Sequence, residues 1–235
     1  MFEWVLPLIP ALPLVVAVWL VVRLLFGLGT GESGERHTAR VVTGVAAVNV
    51  VLVLLAIVLF LANGAQAHTR VWGHWLLSGD YAASMSFTAD TLSLSMAGLV
   101  AVVLWLVSRF AVNYLHRERG FQRFFLVLAL FNAAMQLIAL AGSVMLTFIG
   151  WELAGVSSWL LIAYNGQSLT ATANANRAFV TNRIGDTGLL LGMFMALKWL
   201  HSLEWSVITV PAHSISSLMV GVMAMGFMLA ALAKS

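Results

Sequence analysis

Residues 143–164 read SVMLTFIGWELAGVSSWLLIAY. Apart from Glu152 and a few small hydroxyl residues, this stretch is apolar from end to end. A helix needs about 20 such residues to cross roughly 30 Å of hydrocarbon at 1.5 Å per residue. Strand-like alternation is absent, which argues against a β-barrel. Counted from Ser143, Glu152 lies about 14 Å into the span, close to its middle. A charge there costs at least ~2.5–3.5 kcal/mol, so it marks a functional candidate by default. No basic residue lies within a turn of it on its own helix, so a partner must come from another helix. Gly155, three positions on, leaves room for a close neighbour or a water. The structural alternative is a protonated carboxyl hydrogen-bonded as a packing element.

Working outward, six further stretches meet the same length test: about 5–26, 41–62, 91–114, 123–141, 177–199 and 215–233. The expectation is an all-α polytopic bundle of about seven transmembrane helices. Composition agrees, with 61% hydrophobic and 9% charged residues against roughly 25% charged in soluble domains. The first span holds Pro7, Pro10 and Pro13, which are tolerable near a helix start. Its leading sequence carries Glu3 and no basic region, so it reads as a retained helix rather than a cleaved signal. Residues 64–90, with Trp72, Trp75, Tyr81 and Thr88, are too polar and interrupted to span, and read as an interfacial segment or extracytoplasmic hairpin. With no cysteine, the chain has no disulfides, thiol nucleophiles or thiolate-held iron–sulfur clusters of its own.

The basic residues set the orientation. Arg36, Arg40, Arg117, Arg119, Arg123 and Arg177 collect on one side, and Arg70 and Lys198 on the other. The positive-inside rule puts the first group in the cytoplasm and the N-terminus outside. The cationic excess therefore reads as a topology signal and not as a nucleic-acid surface.

Two further groups of charges lie where lipid disfavours them. Arg183 and Asp186, in NANRAFVTNRIGDTGLLLG (174–192), are three apart and share a helix face with Asn176 and Thr187. With a helix start near Asn176, Asp186 is about 15 Å deep. Such a pair serves equally well as a static packing element or as a working site. Lys234 follows a long uncharged run and by composition reads as a lysine snorkelling to the surface. The six histidines (37, 68, 74, 116, 201 and 213) match no zinc or haem spacing, and no phosphate-binding loop or hydrolase elbow occurs.

Taken in order, FIGWELAGVSSWLLIAYN, NANRAFVTNRIGDTGLLLG and LAALAKS resemble the antiporter-like membrane subunits of respiratory complex I, NADH:quinone oxidoreductase. The likeness is strongest to the L-type or subunit 5 branch. TADTLSLSM (88–96) and FAVNYLHRERGFQRFF (110–125) add to it. The resemblance implies a fold that is the first half of an antiporter-like subunit, with residues 85–235 in its proton-channel domain and 1–84 preceding it. It implies that Glu152 pairs with Lys234, which then lies before a mid-membrane helix break, and that Arg183 and Asp186 are the Arg and Asp of the sixth-helix motif. It implies proton translocation coupled to redox in partner subunits. Those partners would carry the flavin, iron–sulfur clusters and quinone, with no cofactor in this chain, and the setting would be a bacterial inner membrane. Mrp-type cation/proton antiporters, with sodium as the exchanged ion, membrane-bound hydrogenases and inorganic-carbon uptake systems use related subunits and are the alternative. Val156, Ser157, Ser158 and Trp159 depart from the branch's usual Leu-Cys-Ser-Tyr. The chain stops before the second repeat, so it reads as a fragment or a split gene product.

Overall fold

The computed structural model describes residues 2–28, 31–78, 81–118, 120–209 and 216–234. Arg119, His213 and Ser235, and the side chains of Glu3, Trp75 and Tyr81, lie outside what is described. The elements in order are α1 (Phe2–Leu25), α2 (Gly31–Ala62), β1 (His68–Ser78), β2 (Tyr81–Ala89), α3 (Thr91–Tyr114), α4 (Phe121–Leu140), α5 (Val144–Ile162), α6 (Leu169–Leu200), α7 (Trp205–Ile208) and α8 (Ser217–Lys234). Among these, α1, α2, α3, α4, α5 and α8 are long and apolar enough to cross a membrane. The seventh expected span is α6. Its 32 residues give it the length, while its polar stripe lowers its apolarity.

Two helices begin earlier than their apolar cores suggest. The first turns of α2, GESGERHTAR, stay helical on polar residues, with Glu32 and Arg36 paired one turn apart at 3.8 Å. Helix α6 starts at Leu169, where the Ser168 hydroxyl accepts from the Ala171 N–H at 3.3 Å. The polar turns TATANAN therefore extend the helix beyond its apolar part, and Asp186 sits near its middle rather than 15 Å from its start. The three prolines of α1 lie within one continuous helix.

Helices α1–α4 pack as one group, with α1 against α4 and α2, and α3 against α2 and α4. Two apolar clusters fill it. One gathers Leu6, Ile9, Val53, Phe60, Phe87 and Leu140, the other Leu20, Val42, Leu104, Phe121, Phe125 and Leu128. Helix α5 connects this group to α6, and α8 packs closely along α6. Large apolar residues such as Val51, Leu54 and Val58 of α2 and Leu99, Val103 and Leu106 of α3 face outward, as expected where the surrounding solvent is hydrocarbon.

The segment between α2 and α3 is the expected hairpin, an antiparallel β1–β2 pair with register irregularities at Val71/Gly73 and His74/Leu76. It is tied to the bundle by backbone. The Gly142 N–H donates to the Ser86 carbonyl at 2.7 Å, the Val144 N–H to Leu203 at 2.8 Å and the Trp205 N–H to Gly142 at 3.0 Å. The α4–α5 turn is thus laced between β2 and the α6–α7 loop. Glycine is needed at 142, because a Cβ there would lie 2.8 Å from the Ser86 hydroxyl and 2.9 Å from that of Thr88. The carboxylate of Glu204 closes the same junction by accepting from the hydroxyls of Ser84 and Ser86.

Helix α6 lies unusually close to α8. A Cβ at Gly185 would be 2.2 Å from the Ala233 Cβ, one at Gly188 2.7 Å from the Gly226 carbonyl, and one at Gly192 2.9 Å from the Phe227 ring. Without Cβ atoms on this face the two backbones approach directly, which is how helices associate where lipid removes the hydrophobic drive. This approach brings the end of α8 beside the charges of α6.

Candidate functional site

Four side chains singled out in the sequence converge between α5, α6 and α8. Glu152 Oε2 forms an ion pair with Arg183 Nη1, and the same guanidinium nitrogen lies 3.6 Å from Asp186 Oδ2. Arg183 therefore bridges two carboxylates on different helices. Its guanidinium also lies over the Phe179 ring, 4.9 Å from the centroid. Asp186 is buried, at 5% exposure. Its other oxygen, Oδ1, accepts from the Trp151 indole N–H at 2.8 Å. Glu152 keeps Oε1 buried with no hydrogen-bond partner among the described residues.

Lys234 is drawn in rather than extended to a surface. Its Nζ donates to the main-chain carbonyl of Trp151 at 2.9 Å and stands 4.6 Å from the centre of that residue's ring. The room comes from Gly155, where a Cβ would be 3.3 Å from Nζ. Gly155 thus admits a close neighbour, as its position suggested. The neighbour is the amine itself.

The partnership differs from the one the resemblance implies. Among the described residues, the cation paired with Glu152 is Arg183, and Lys234 makes no ion pair but rests on neutral acceptors. The reason is reach across helices. Arg183 on α6 faces α5 at the level of Glu152, while Lys234 meets α5 at Trp151 and Gly155. Nor do all members of the expected α6 stripe share its environment. Thr187 is exposed and bonded to the Ile184 carbonyl of its own helix, whereas Asn176 accepts from the Trp159 indole at 3.2 Å.

Trp151 was missed as a site residue because tryptophan is common in apolar spans. Its acceptor, Asp186, lies on another helix, so no signal local to Trp151 marks it. Glu204 was missed because it reads as an ordinary loop acid. The cluster holds two carboxylates and two cations, balanced when all are ionised. Among the described residues no three His, Asp or Glu side chains gather as a metal site would require. Each cation touches two groups: Arg183 touches both carboxylates, and Lys234 the Trp151 carbonyl and ring.

Comparison with known proteins agrees with this architecture. Residues 75–125 match the family described as NADH-Ubiquinone oxidoreductase (complex I), chain 5 N-terminus. Residues 141–235 match the family described as NADH:quinone oxidoreductase/Mrp antiporter, TM. NADH-quinone oxidoreductase subunit L of Escherichia coli (strain K12) is 32% identical over 206 residues, covering 86% of this chain and 33% of that protein. The chloroplastic NAD(P)H-quinone oxidoreductase subunit 5 of Zea mays is 29% identical over 247 residues, covering 100% of this chain and 32% of its own length. The chain thus spans about a third of the length of these curated relatives. Among solved structures, the membrane-bound sulfane sulfur reductase, an archaeal respiratory membrane complex, superposes with a TM-score of 0.79 at 18% identity, covering 96% of this chain and 44% of the matched one. The Mrp complex from a Dietzia species gives 0.74 at 20% identity, covering 98% and 24%. These similar proteins are subunits of multi-subunit membrane complexes. With its membrane-suited helices, its two matched family segments and its 32% identity to subunit L, the chain belongs to the antiporter-like membrane subunits of the NADH:quinone oxidoreductase and Mrp antiporter family.

Proposed function

We propose that this chain contributes to proton translocation as a membrane subunit of a complex I-like NADH:quinone oxidoreductase, through Glu152, Arg183, Asp186 and Lys234. Redox chemistry, with its flavin, iron–sulfur clusters and quinone, belongs in this reading to partner subunits. The observation that carries it is the bridging of Glu152 and Asp186 by Arg183 in mid-span, with the Lys234 amine beside them. An isolated charge in such a place is costly and a paired one is tolerated. Forming and breaking pairs can therefore take up and release a proton. In the arrangement described, Glu152 is held by Arg183 and Lys234 by neutral groups. In the alternative one, Glu152 exchanges Arg183 for Lys234, and Arg183 falls back on Asp186, from which it is already only 3.6 Å away. A neighbouring subunit biases the choice by changing charge or packing at the helix faces it touches. The setting in this reading is a bacterial inner membrane with the N-terminus outside.

A second reading, cation/proton exchange with sodium or energised inorganic-carbon uptake, is favoured by the fold likeness to the Mrp complex. The test uses inverted membrane vesicles holding the full-length protein in its complex and a pH-sensitive dye. Glu152→Gln and Lys234→Ala are expected to lower NADH-driven proton uptake at least about tenfold while the complex assembles in normal amount. Undiminished uptake in both variants would remove these residues from the path. Uptake that answers to a sodium gradient and not to NADH would select the second reading.

A further inference from the structure

We infer that Trp151 and Gly155 form a berth that holds the Lys234 amine on neutral groups, apart from the carboxylates, so that leaving it is the event that engages the switch. The inference rests on the proton-transfer reading of this site and names the device that regulates it.

Three contacts build the berth. The Trp151 carbonyl accepts from Nζ at 2.9 Å, and the indole face lies 4.6 Å below it. In helix register that same carbonyl is the acceptor for the Gly155 N–H. A side chain at 155 would shield it, and glycine leaves it open to a second donor. The third contact fixes the ring. The indole N–H donates to Asp186 Oδ1 at 2.8 Å, so the surface on which the ammonium rests is anchored to a carboxylate of the next helix. Trp151 thereby connects Lys234 with Asp186 without letting them meet, and Arg183 carries the connection on to Glu152. A cation over an indole face and a charge-assisted hydrogen bond together make a hold of modest size. A berth of that size is strong enough to populate one state and weak enough for a neighbouring subunit to empty it. Trp151 and Gly155 act here as positioning residues.

The test is a double-substitution cycle on the full-length protein in detergent, read as thermal midpoint, with vesicle transport measured alongside. Gly155→Ala puts a methyl group 3.3 Å from Nζ. It should lower the midpoint by at least about 3 °C in the parent chain and by nothing in the Lys234→Ala background, because there is then no amine to displace. Trp151→Phe keeps the carbonyl and a ring but loses the bond to Asp186. It should shift the pH profile of proton uptake, and Trp151→Leu should lower uptake at least fivefold. Equal destabilisation by Gly155→Ala in both backgrounds, or none in either, would overturn the berth, as would transport profiles unchanged by both Trp151 substitutions. If Glu152→Gln abolishes transport while the cycle shows no coupling, the berth falls and the proton-transfer reading stands. If Glu152→Gln and Lys234→Ala are both silent in transport, the switch is lost, and the berth's role with it.

Discussion

The close approach of α6 and α8 invites a direct perturbation, Gly185→Ala. The added Cβ would be 2.2 Å from the Ala233 Cβ, with the Ala230 carbonyl and the Ala233 Cα at 3.6 Å. Carbon pairs rest at about 3.5–4.0 Å, so the shortfall is roughly 1.5 Å. The obstructing atom is a backbone-fixed Cβ with no rotamer to turn, so the helices themselves must move apart. Overpacking of this kind costs about 1–3 kcal/mol, and at this chain length each kcal/mol lowers the midpoint by about 2–4 °C. The expected loss is roughly 2–12 °C. Gly221→Ala is the matched control. It lies on the same α8 with nothing within 4 Å of the added atom, and should be neutral or stabilising by up to about 1 kcal/mol. Both variants of the full-length protein are read by thermal unfolding in detergent. Because Ala233 adjoins Lys234, Gly185→Ala should also reduce proton uptake in vesicles where Gly221→Ala does not. A Gly185→Ala protein as stable as the Gly221→Ala protein would refute the packing argument.

Two other perturbations test the charges. Arg183→Gln removes the cation between Glu152 and Asp186 and should destabilise by about 1–3 kcal/mol, less than a fully buried pair would cost because the Arg183 side chain is 40% exposed. The double variant Arg183→Gln/Glu152→Gln should regain part of that loss in a thermal scan, since it removes the stranded carboxylate too. At the hairpin, Glu204→Leu leaves the buried hydroxyls of Ser84 and Ser86 without their acceptor, at about 1–3 kcal/mol for each. Limited proteolysis should then cut within residues 68–89 at least several-fold faster than in the parent chain.

The spans were legible because hydrocarbon imposes a length. Residues 91–114 of the sequence coincide with α3, and the β1–β2 hairpin lies where polarity interrupts the apolar runs. The early start of α6 was not legible, because TATANAN is polar enough to pass for a loop, although Ser168 caps it. Glu152, Arg183 and Asp186 announced themselves as charges in apolar surroundings. Which cation Glu152 meets did not follow from the sequence, since the rotation of α6 about its axis is set by small residues facing α8 rather than by any pattern around Arg183 itself. Trp151 stayed hidden for the same reason: its roles lie in a carbonyl, a ring face and an N–H, and each needs a partner from another helix to show.

The main-chain bonds that lace the α4–α5 turn between β2 and the α6–α7 loop also decide where the bundle can give. Hydrogen bonds among Ser86, Gly142, Val144, Leu203 and Trp205 involve no side chain, so added salt leaves them alone, and a substitution reaches them only by displacing the backbone, as one at Gly142 would. The opposite end is joined by exposed pairs such as Arg117 with Glu32, which added salt weakens. The two ends of the bundle are therefore held differently, one by backbone and the other by charge. Raised salt should therefore free the start of α2 from the α3–α4 loop while the hairpin end keeps its register.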